Sequence, residues 1–314
     1  MESPSQYPIC QEIESGVYLV RGANFARFPE ANCLLVDDEI LTLVDAGASI
    51  EHIRAALHET GHREEDIQRI VISHFHIDHK GYANVLRIGP DCEVLCHPEA
   101  EPGIVSLRGM VAMYGIDGHS LYDDWVTRLR SWVPHITREY RVTGHYRDGV
   151  PIDCGRTQIY PRFCPGHTPD HTCFGIDGYD TMMLVDIDLT RFGPWYGNMV
   201  SDINDFKRSI LDIMELGPTK VVTSHILDPV TQDVDLRLTQ YLEVFDRREK
   251  RILQMISDGV DTIEKLTMAP TIYPRIPANL YYIFEEFMLR KHVEDLIERG
   301  AVRVKDDRLV VCQS

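Results

Sequence analysis

Within the six residues His74-Phe-His-Ile-Asp-His79 the chain packs three imidazoles and one carboxylate, directly after the apolar run Ile70-Val71-Ile72. Neutral imidazole and carboxylate suit Zn²⁺ and Fe²⁺, and donors at positions i, i+2, i+4 and i+5 of a turn can be divided between two ions. A polar surface turn has no need of such a concentration of histidine, so the stretch reads as a metal site. Three later segments each run from β-type residues into further donors: Cys164-Pro-Gly-His-Thr-Pro-Asp-His171 after Ile159 to Phe163, Thr181-Met-Met-Leu-Val-Asp-Ile-Asp188, and Lys220-Val-Val-Thr-Ser-His225. One histidine after a strand is more often a solvated or core imidazole than a ligand. Four such segments in order make a joint site the better reading.

In content and order these segments resemble the metallo-β-lactamase superfamily, whose site gathers an H-x-H-x-D-H loop, a later His, an Asp and a last His from successive strand ends. The resemblance covers residues 10 to 235 and departs from the family at two points: Asp170 stands where Gly is usual, and Val185 replaces the Gly of a Gly-Asp pair. It implies that His74, His76 and His167 hold one ion and that Asp78, His79 and His225 hold the other. Asp186 or Asp188 then bridges them, with a water or hydroxide between; Asp186 is preferred because it directly ends the run Met182 to Val185. Two zinc ions are the expected cofactors, with Fe or Mn as alternatives. Paired cations lower the pKa of bound water from near 16 towards about 7, so no Ser or Cys nucleophile is needed.

The same reading casts Asp78 as a proton shuttle to the leaving group. In Phe192-Gly-Pro-Trp-Tyr-Gly-Asn198, Tyr196 becomes a donor to a developing oxyanion and Trp195 a pocket wall, unless this Gly/Pro loop only turns the chain. Asp45 and His171 are expected to orient ligand imidazoles, since a ligating His usually donates its other N–H to a partner, unless Asp45 is only a hairpin-end carboxylate.

Elements that position these donors follow from apolar periodicity. Gly16 to Val20, Asn32 to Val36, Ile40 to Val44, Arg69 to Ser73 and Glu93 to Cys96 read as strands, with Asp37-Asp38 as a hairpin turn. Ser49 caps a helix to about Thr60 that Gly61 stops, and another helix starts near Lys80. Strands alternating with helices after a meander imply an α/β fold, and the resemblance specifies an αββα sandwich over residues 1–235. Residues 98–147 interrupt it with helices at Glu101 to Tyr114 and Leu121 to Tyr140, before the turn Arg147-Asp-Gly149. Their Met110, Met113, Tyr114, Trp125, Trp132 and Tyr140 form either an apolar lid over the metals or ordinary core packing.

Residues 236–314 change character: helices at Leu236 to Ser257, Asp261 to Leu266 and Asn279 to Arg299, then a hairpin from Arg303 to Val311 turning at Asp306-Asp307. This is similar to a winged helix, and a similar appendage occurs in the superfamily subgroup that includes the endoribonuclease β-lactamase-like protein 2. Charge favours a packing or homodimer role over RNA binding. The segment carries 13 Lys+Arg against 13 Asp+Glu, so the net charge of −17 lies on the catalytic body, without the basic excess that nucleic-acid binding draws on. No 18-residue apolar run or signal-like N-terminus is present, so no membrane contact and a cytoplasmic location are expected. The eight scattered Cys read as buried thiols, Cys164 included, although it could line the site.

Function is therefore expected to be metal-dependent hydrolysis of a small ester, thioester or lactone, as the glyoxalase-like P-G-H-T-P loop also suggests. Alternatives on the same fold are a ribonuclease or phosphodiesterase, a non-haem iron dioxygenase and a diiron oxidoreductase.

Overall fold

Along β-strands whose residues alternate between two apolar environments, both faces must be covered, and the chain meets this demand with two sheets and helices outside them. In the computed structural model, which describes residues 7–87, 91–134, 140–269 and 271–312 (for Trp132 the backbone only), the first sheet has seven strands. These are β1 (Cys10–Glu14), β2 (Val17–Val20), β3 (Cys33–Val36), β4 (Thr42–Val44), β5 (Arg69–Ile72), β6 (Glu93–Cys96) and β7 (Gly144–His145), in that spatial order. β1 to β4 pair antiparallel and β4 to β7 parallel. The second sheet has the order β12-β11-β10-β9-β8, from β8 (Ile152–Asp153), β9 (Gln158–Phe163), β10 (Thr172–Ile176), β11 (Thr181–Met183) and β12 (Lys220–Val222).

Alternation sorts the side chains into layers. Leu34, Val36, Val44 and Val71 of the first sheet meet Phe174, Ile176, Met183 and Val222 of the second in one apolar cluster. Their neighbours Leu35, Leu43, Ile70 and Ile72 belong to the outer cluster, together with Ile53, Ala56 and Leu57 of helix Ile50–Glu59. Ser49 caps that helix by accepting from the His52 N–H at 3.2 Å, as its position in the sequence demands. On the other side, helix Ile203–Leu216 starts at Asp202, which accepts from the Asn204 and Asp205 N–H groups at 2.8 Å, and covers the second sheet with Phe206, Ile210 and Ile213. The architecture is the expected αββα sandwich.

The insertion differs from the expectation in its helix bounds. Glu101 to Tyr114 is two helices, Glu101–Val105 and Leu107–Tyr114, because Ser106 leaves the helical backbone and accepts from the Gly109 N–H at 3.0 Å as a new N-cap. The next helix, Tyr122–Trp132, ends before Pro134; the remainder of its expected span reaches residues 135–139, outside the described residues. The first helix of the metal loop begins at Ile77, earlier than Lys80.

After residue 233 come helices Val234–Ser257, Ile263–Met268 and Tyr281–Glu298, then β13 (Val302–Lys305) and β14 (Arg308–Val311). The hairpin turns on Asp306 and Asp307 at φ 50° and 57°, the paired left-handed residues that suit a tight two-residue turn. Leu238, Phe245, Ile252, Leu289 and Leu296 of these helices belong to the same cluster as the outer layer of the sandwich. The change near residue 235 is thus one of element type within a continuous core. No described helix is long and apolar enough to cross a membrane.

Candidate metal centre

Donor-bearing loops emerge where β4, β5, β9, β11 and β12 end, which brings together residues from 45 to 225 of the chain. Close approach of two of these loops requires Gly47, where an added Cβ would lie 1.5 Å from the Asp78 carbonyl oxygen. One donor atom each of His74, His76, His167 and Asp186 lie within 4.8 Å of one another, and so do those of Asp78, His79 and His225. Asp186 turns one oxygen to each group. Its Oδ2 is 3.1 Å from His167 Nε2 and 3.9 Å from His74 Nε2, while Oδ1 is 3.2 Å from His79 Nε2 and 3.7 Å from His225 Nε2. Asp188 instead accepts from Thr190 N–H at 2.9 Å. Val185, where the family has Gly, sits at φ 54°, a left-handed conformation that is costly for a β-branched residue. The backbone thus keeps the shape a glycine would give and delivers Asp186 in that register.

Each imidazole is oriented through the nitrogen that faces away from the cluster. His79 Nδ1 meets Asp45 Oδ2 at 2.8 Å, and the same carboxylate accepts from Ser73 N–H and Oγ–H at 2.8 Å. His74 Nδ1 contacts Ser73 Oγ at 3.0 Å, His167 Nδ1 donates to the Trp195 carbonyl at 2.7 Å, and His225 Nδ1 to the Ala26 carbonyl at 2.7 Å. His76 is held at Nε2 by the Asn198 side-chain amide at 2.9 Å. These contacts leave His74 Nε2, His79 Nε2 and Asp186 Oδ1 buried without a hydrogen-bond partner. Buried orphan acceptors are costly, and convergent ones with their outer nitrogens already engaged fit metal ions.

The protein's own field divides the donors. Burial, then the neighbouring imidazoles, pushes His74 and His76 well below the ordinary histidine value, which keeps them neutral. Burial opposes charge on His79 too, but Asp186, Asp45 and Asp78 outweigh it and hold that imidazole well above its usual value. Asp186 is buried, yet His79 and His167 keep its carboxyl well below the carboxylate range. Burial raises Asp78.

The structure corrects two role assignments. Tyr196 is fully buried and does not line the cavity: its hydroxyl is 2.7 Å from His292 Nε2 and accepts from Arg248 Nη1 at 3.0 Å, so it joins the tail to the loop and has no route to an oxyanion. His171 does not orient an imidazole. Its Nδ1 donates to the Cys164 carbonyl at 2.9 Å, and its Nε2, kept neutral by burial at a pKa of about 3, accepts from the Asp186 N–H at 3.1 Å. Asp170 accepts from the Phe75 N–H at 2.8 Å and so ties two donor loops together, a job no glycine could do. Cys164 packs in the core, and all eight cysteines are free. Asn198 escaped the sequence reading because nothing local distinguishes its amide from that of any turn Asn.

Above the donors opens a cavity of 1380 Å³ that reaches His76, Asp78, His167, Asp186 and His225. An aromatic wall runs along it. Trp195 meets Phe284 at 5.4 Å between ring centroids, Phe284 meets Tyr281 at 5.8 Å, and Tyr281 meets Tyr273 at 5.7 Å. Tyr114 and Trp125 of the insertion continue it at 5.4 Å, and Tyr114 stacks on His76 at 5.0 Å. The tail holds this wall in place: Glu285 accepts from the N–H groups of Thr271, Ile272 and Tyr273, and Tyr273 Oη accepts from Trp195 Nε1 at 2.7 Å. Arg248 donates to the carbonyls of Phe192 and Pro194 in the loop that carries Trp195. Of the insertion residues named from sequence, Tyr114 and Trp125 line the cavity, Met110 is core, Met113 lies by Gly103, and the Trp132 side chain is outside the described residues.

A probable metallo-hydrolase of Bacillus subtilis (strain 168), YqjP, is 24% identical over 240 residues, which is 63% of this chain and 67% of that protein. A metallo-beta-lactamase family protein of Thermus thermophilus shares the fold with a TM-score of 0.74 at 21% identity, over 96% of this chain and 100% of that one. A Beta-lactamase domain protein of Burkholderia ambifaria gives 0.69 at 20% identity, over 96% and 93% of the two chains. The family model of the metallo-beta-lactamase superfamily matches residues 27–225, which contain every donor of the two groups, and the chain belongs to that superfamily.

Proposed function

We propose that this metallo-hydrolase cleaves a small-molecule ester, thioester or lactone at a dinuclear site, with zinc as the resident ion and iron or manganese as the alternatives. The observation that carries the reading is the cavity that five of the seven convergent donors line, beside an aromatic wall. Ligand sites combine mainly apolar walls with a few placed polar groups, and the 1380 Å³ available exceeds what a drug-sized molecule needs.

Bound to the two groups, divalent ions supply Lewis acidity, which makes water a nucleophile at neutral pH and offsets the charge that develops on the substrate's carbonyl oxygen. The chain's residues do the rest. Asp45, Asn198 and the carbonyls of Trp195 and Ala26 fix the imidazoles before substrate arrives, so little reorganisation is left for the reaction. Asp78 lines the cavity beside the donors and passes a proton to the leaving group. Tyr114, Trp195 and Phe284 exclude water and seat the apolar part of the substrate.

The test is a panel of an octanoyl thioester, a γ-lactone, bis(p-nitrophenyl) phosphate and single-stranded RNA, assayed with metal-loaded and chelator-treated protein. Turnover of the acyl compounds that chelation abolishes is the expected result. Cleavage of RNA or the phosphodiester with inert acyl compounds would replace this reading by a nuclease.

A further inference from the structure

Three arginines, Arg27, Arg191 and Arg237, line the metal cavity, and they come from three separate elements. Arg27 follows Ala26, whose carbonyl holds His225; Arg191 lies in the loop after Asp186; Arg237 is in the first turns of helix Val234–Ser257. All three side chains are exposed. In a chain of net charge −17, acidic partners are abundant: Arg54 and Arg69 each take one, and Arg162 and Arg299 each take two. Among the described residues none of the three cavity arginines has a carboxylate partner. The carboxylates that share the cavity are engaged elsewhere: Asp78 and Asp186 face the imidazoles, Asp188 accepts from Thr190, and Asp228 pairs with Arg21 at 3.7 Å.

Guanidiniums without a carboxylate partner at one cavity, that of Arg27 lying over the Phe25 ring at 5.9 Å, are forks matched to carboxylate or phosphate oxygens, and they are less costly to desolvate than ammonium groups. The aromatic wall offers a complementary surface, which reaches the donors through Tyr114 on His76. Arg27 adjoins the donors at His225, through Ala26, and the wall adjoins them at His76, in the other donor group.

We infer that the substrate is an amphipathic acyl compound bearing a second, anionic group, a carboxylate or phosphate, that Arg27, Arg191 and Arg237 hold while its apolar part lies on the aromatic wall. This deepens the hydrolase reading and rests on it for the position of the scissile carbonyl over the donors. The arginines are specificity-determining residues: they bind and orient, and the reaction at the carbonyl is unchanged by them.

Intrinsic tryptophan fluorescence, with Trp195 and Trp125 in the wall, reports binding without turnover. Metal-loaded protein is titrated with S-octyl mercaptosuccinate and octyl phosphate, and with neutral S-octyl mercaptoethanol. The anionic ligands should bind about tenfold or more tightly than the neutral one, the equivalent of one or two good charge-assisted contacts, and the preference should shrink with added salt. In the triple variant R27A/R191A/R237A the preference should fall below about threefold, with metal content and thermal stability held, as expected for exposed side chains. Equal affinity of charged and neutral ligands for the parent protein, or a preference that survives in the triple variant because the metals alone capture the anion, would overturn the inference. The matching octanoyl thioesters separate it from the reading beneath: a binding preference without turnover of either thioester supports the anion subsite and defeats hydrolysis, whereas turnover of both with equal kcat/KM and no binding preference does the reverse.

Discussion

The donors of the metal centre lie on short segments that follow strands, Asp78 and His79 on the one-turn helix Ile77–Lys80, and each imidazole is fixed by a partner at its outer nitrogen. The aromatic wall a few ångströms away is assembled from the insertion, the loop after Asp186 and helices beyond residue 270. Chemistry that needs exact donor placement is borne by strand ends within the rigid sandwich, where a residue's position follows from its strand register. Selection of what reaches those donors is delegated to segments far apart in the chain, joined by packing and by contacts such as Trp195 Nε1 to Tyr273 Oη. The first region is therefore intolerant of substitution and the second adjustable, and this contrast can be broken in three places.

The largest effect belongs to the carboxylate that faces both donor groups. Asp186→Asn should lower kcat/KM by about a thousandfold, beyond the 10–100-fold typical for an outer partner of a ligand, and should reduce metal content; Asp188→Asn should stay within about tenfold of the parent. A dead Asp188 variant beside an active Asp186 variant would shift the strand register by two residues. A smaller effect is expected at the wall. Trp125→Leu or Phe284→Leu, chosen because truncation to Ala would open a cavity costing about 3–5 kcal/mol, should raise KM for long acyl substrates by about tenfold with metal content unchanged. Loss of metal or a fall in kcat alone would mean that the wall serves the donors and not the substrate.

The smallest effect concerns the polar contact that joins tail to loop. Burial, then Arg248, pushes the His292 imidazole down to about 3, while its ordinary value is 6.5. The unfolded chain therefore takes up a proton that the folded chain refuses, so this group's contribution to stability is complete above about pH 6.5 and is lost towards pH 3, by at most about 1.4 kcal/mol per pH unit. His292→Gln, which can still accept from the Tyr196 hydroxyl, should lose less stability between pH 7 and pH 5 than the parent, measured by denaturant unfolding. Parallel losses would show that His292 is not the group that senses acid.

Much of the first region, and several elements elsewhere, were legible because their determinants are local. Spacing in His74 to His79, the helix cap at Ser49 and the turn at Asp306-Asp307 all act within a few residues, and the structure carries them as read. The position of Asp186, not Asp188, between the two donor groups follows from the end of the apolar run, although its backbone basis, the left-handed Val185, was not legible. What was missed is long-range. Tyr196 sits beside Trp195 in sequence, yet adjacent residues of an irregular loop point to different surroundings, and only the tail, with Arg248 and His292, decides which of the two meets the cavity. Ser106 shows a local signal overlooked: Ser followed by a helical run is an N-cap, and it divides a span that apolar periodicity alone made continuous.

The central claim is that two groups of donors share Asp186. Elemental analysis of the purified, fully loaded protein tests it most directly: about two transition-metal ions per chain are expected, falling to about one in His225→Ala, which removes a donor from only the group of Asp78 and His79. One ion per chain in the parent, with the same content in His225→Ala, would contradict the dinuclear centre.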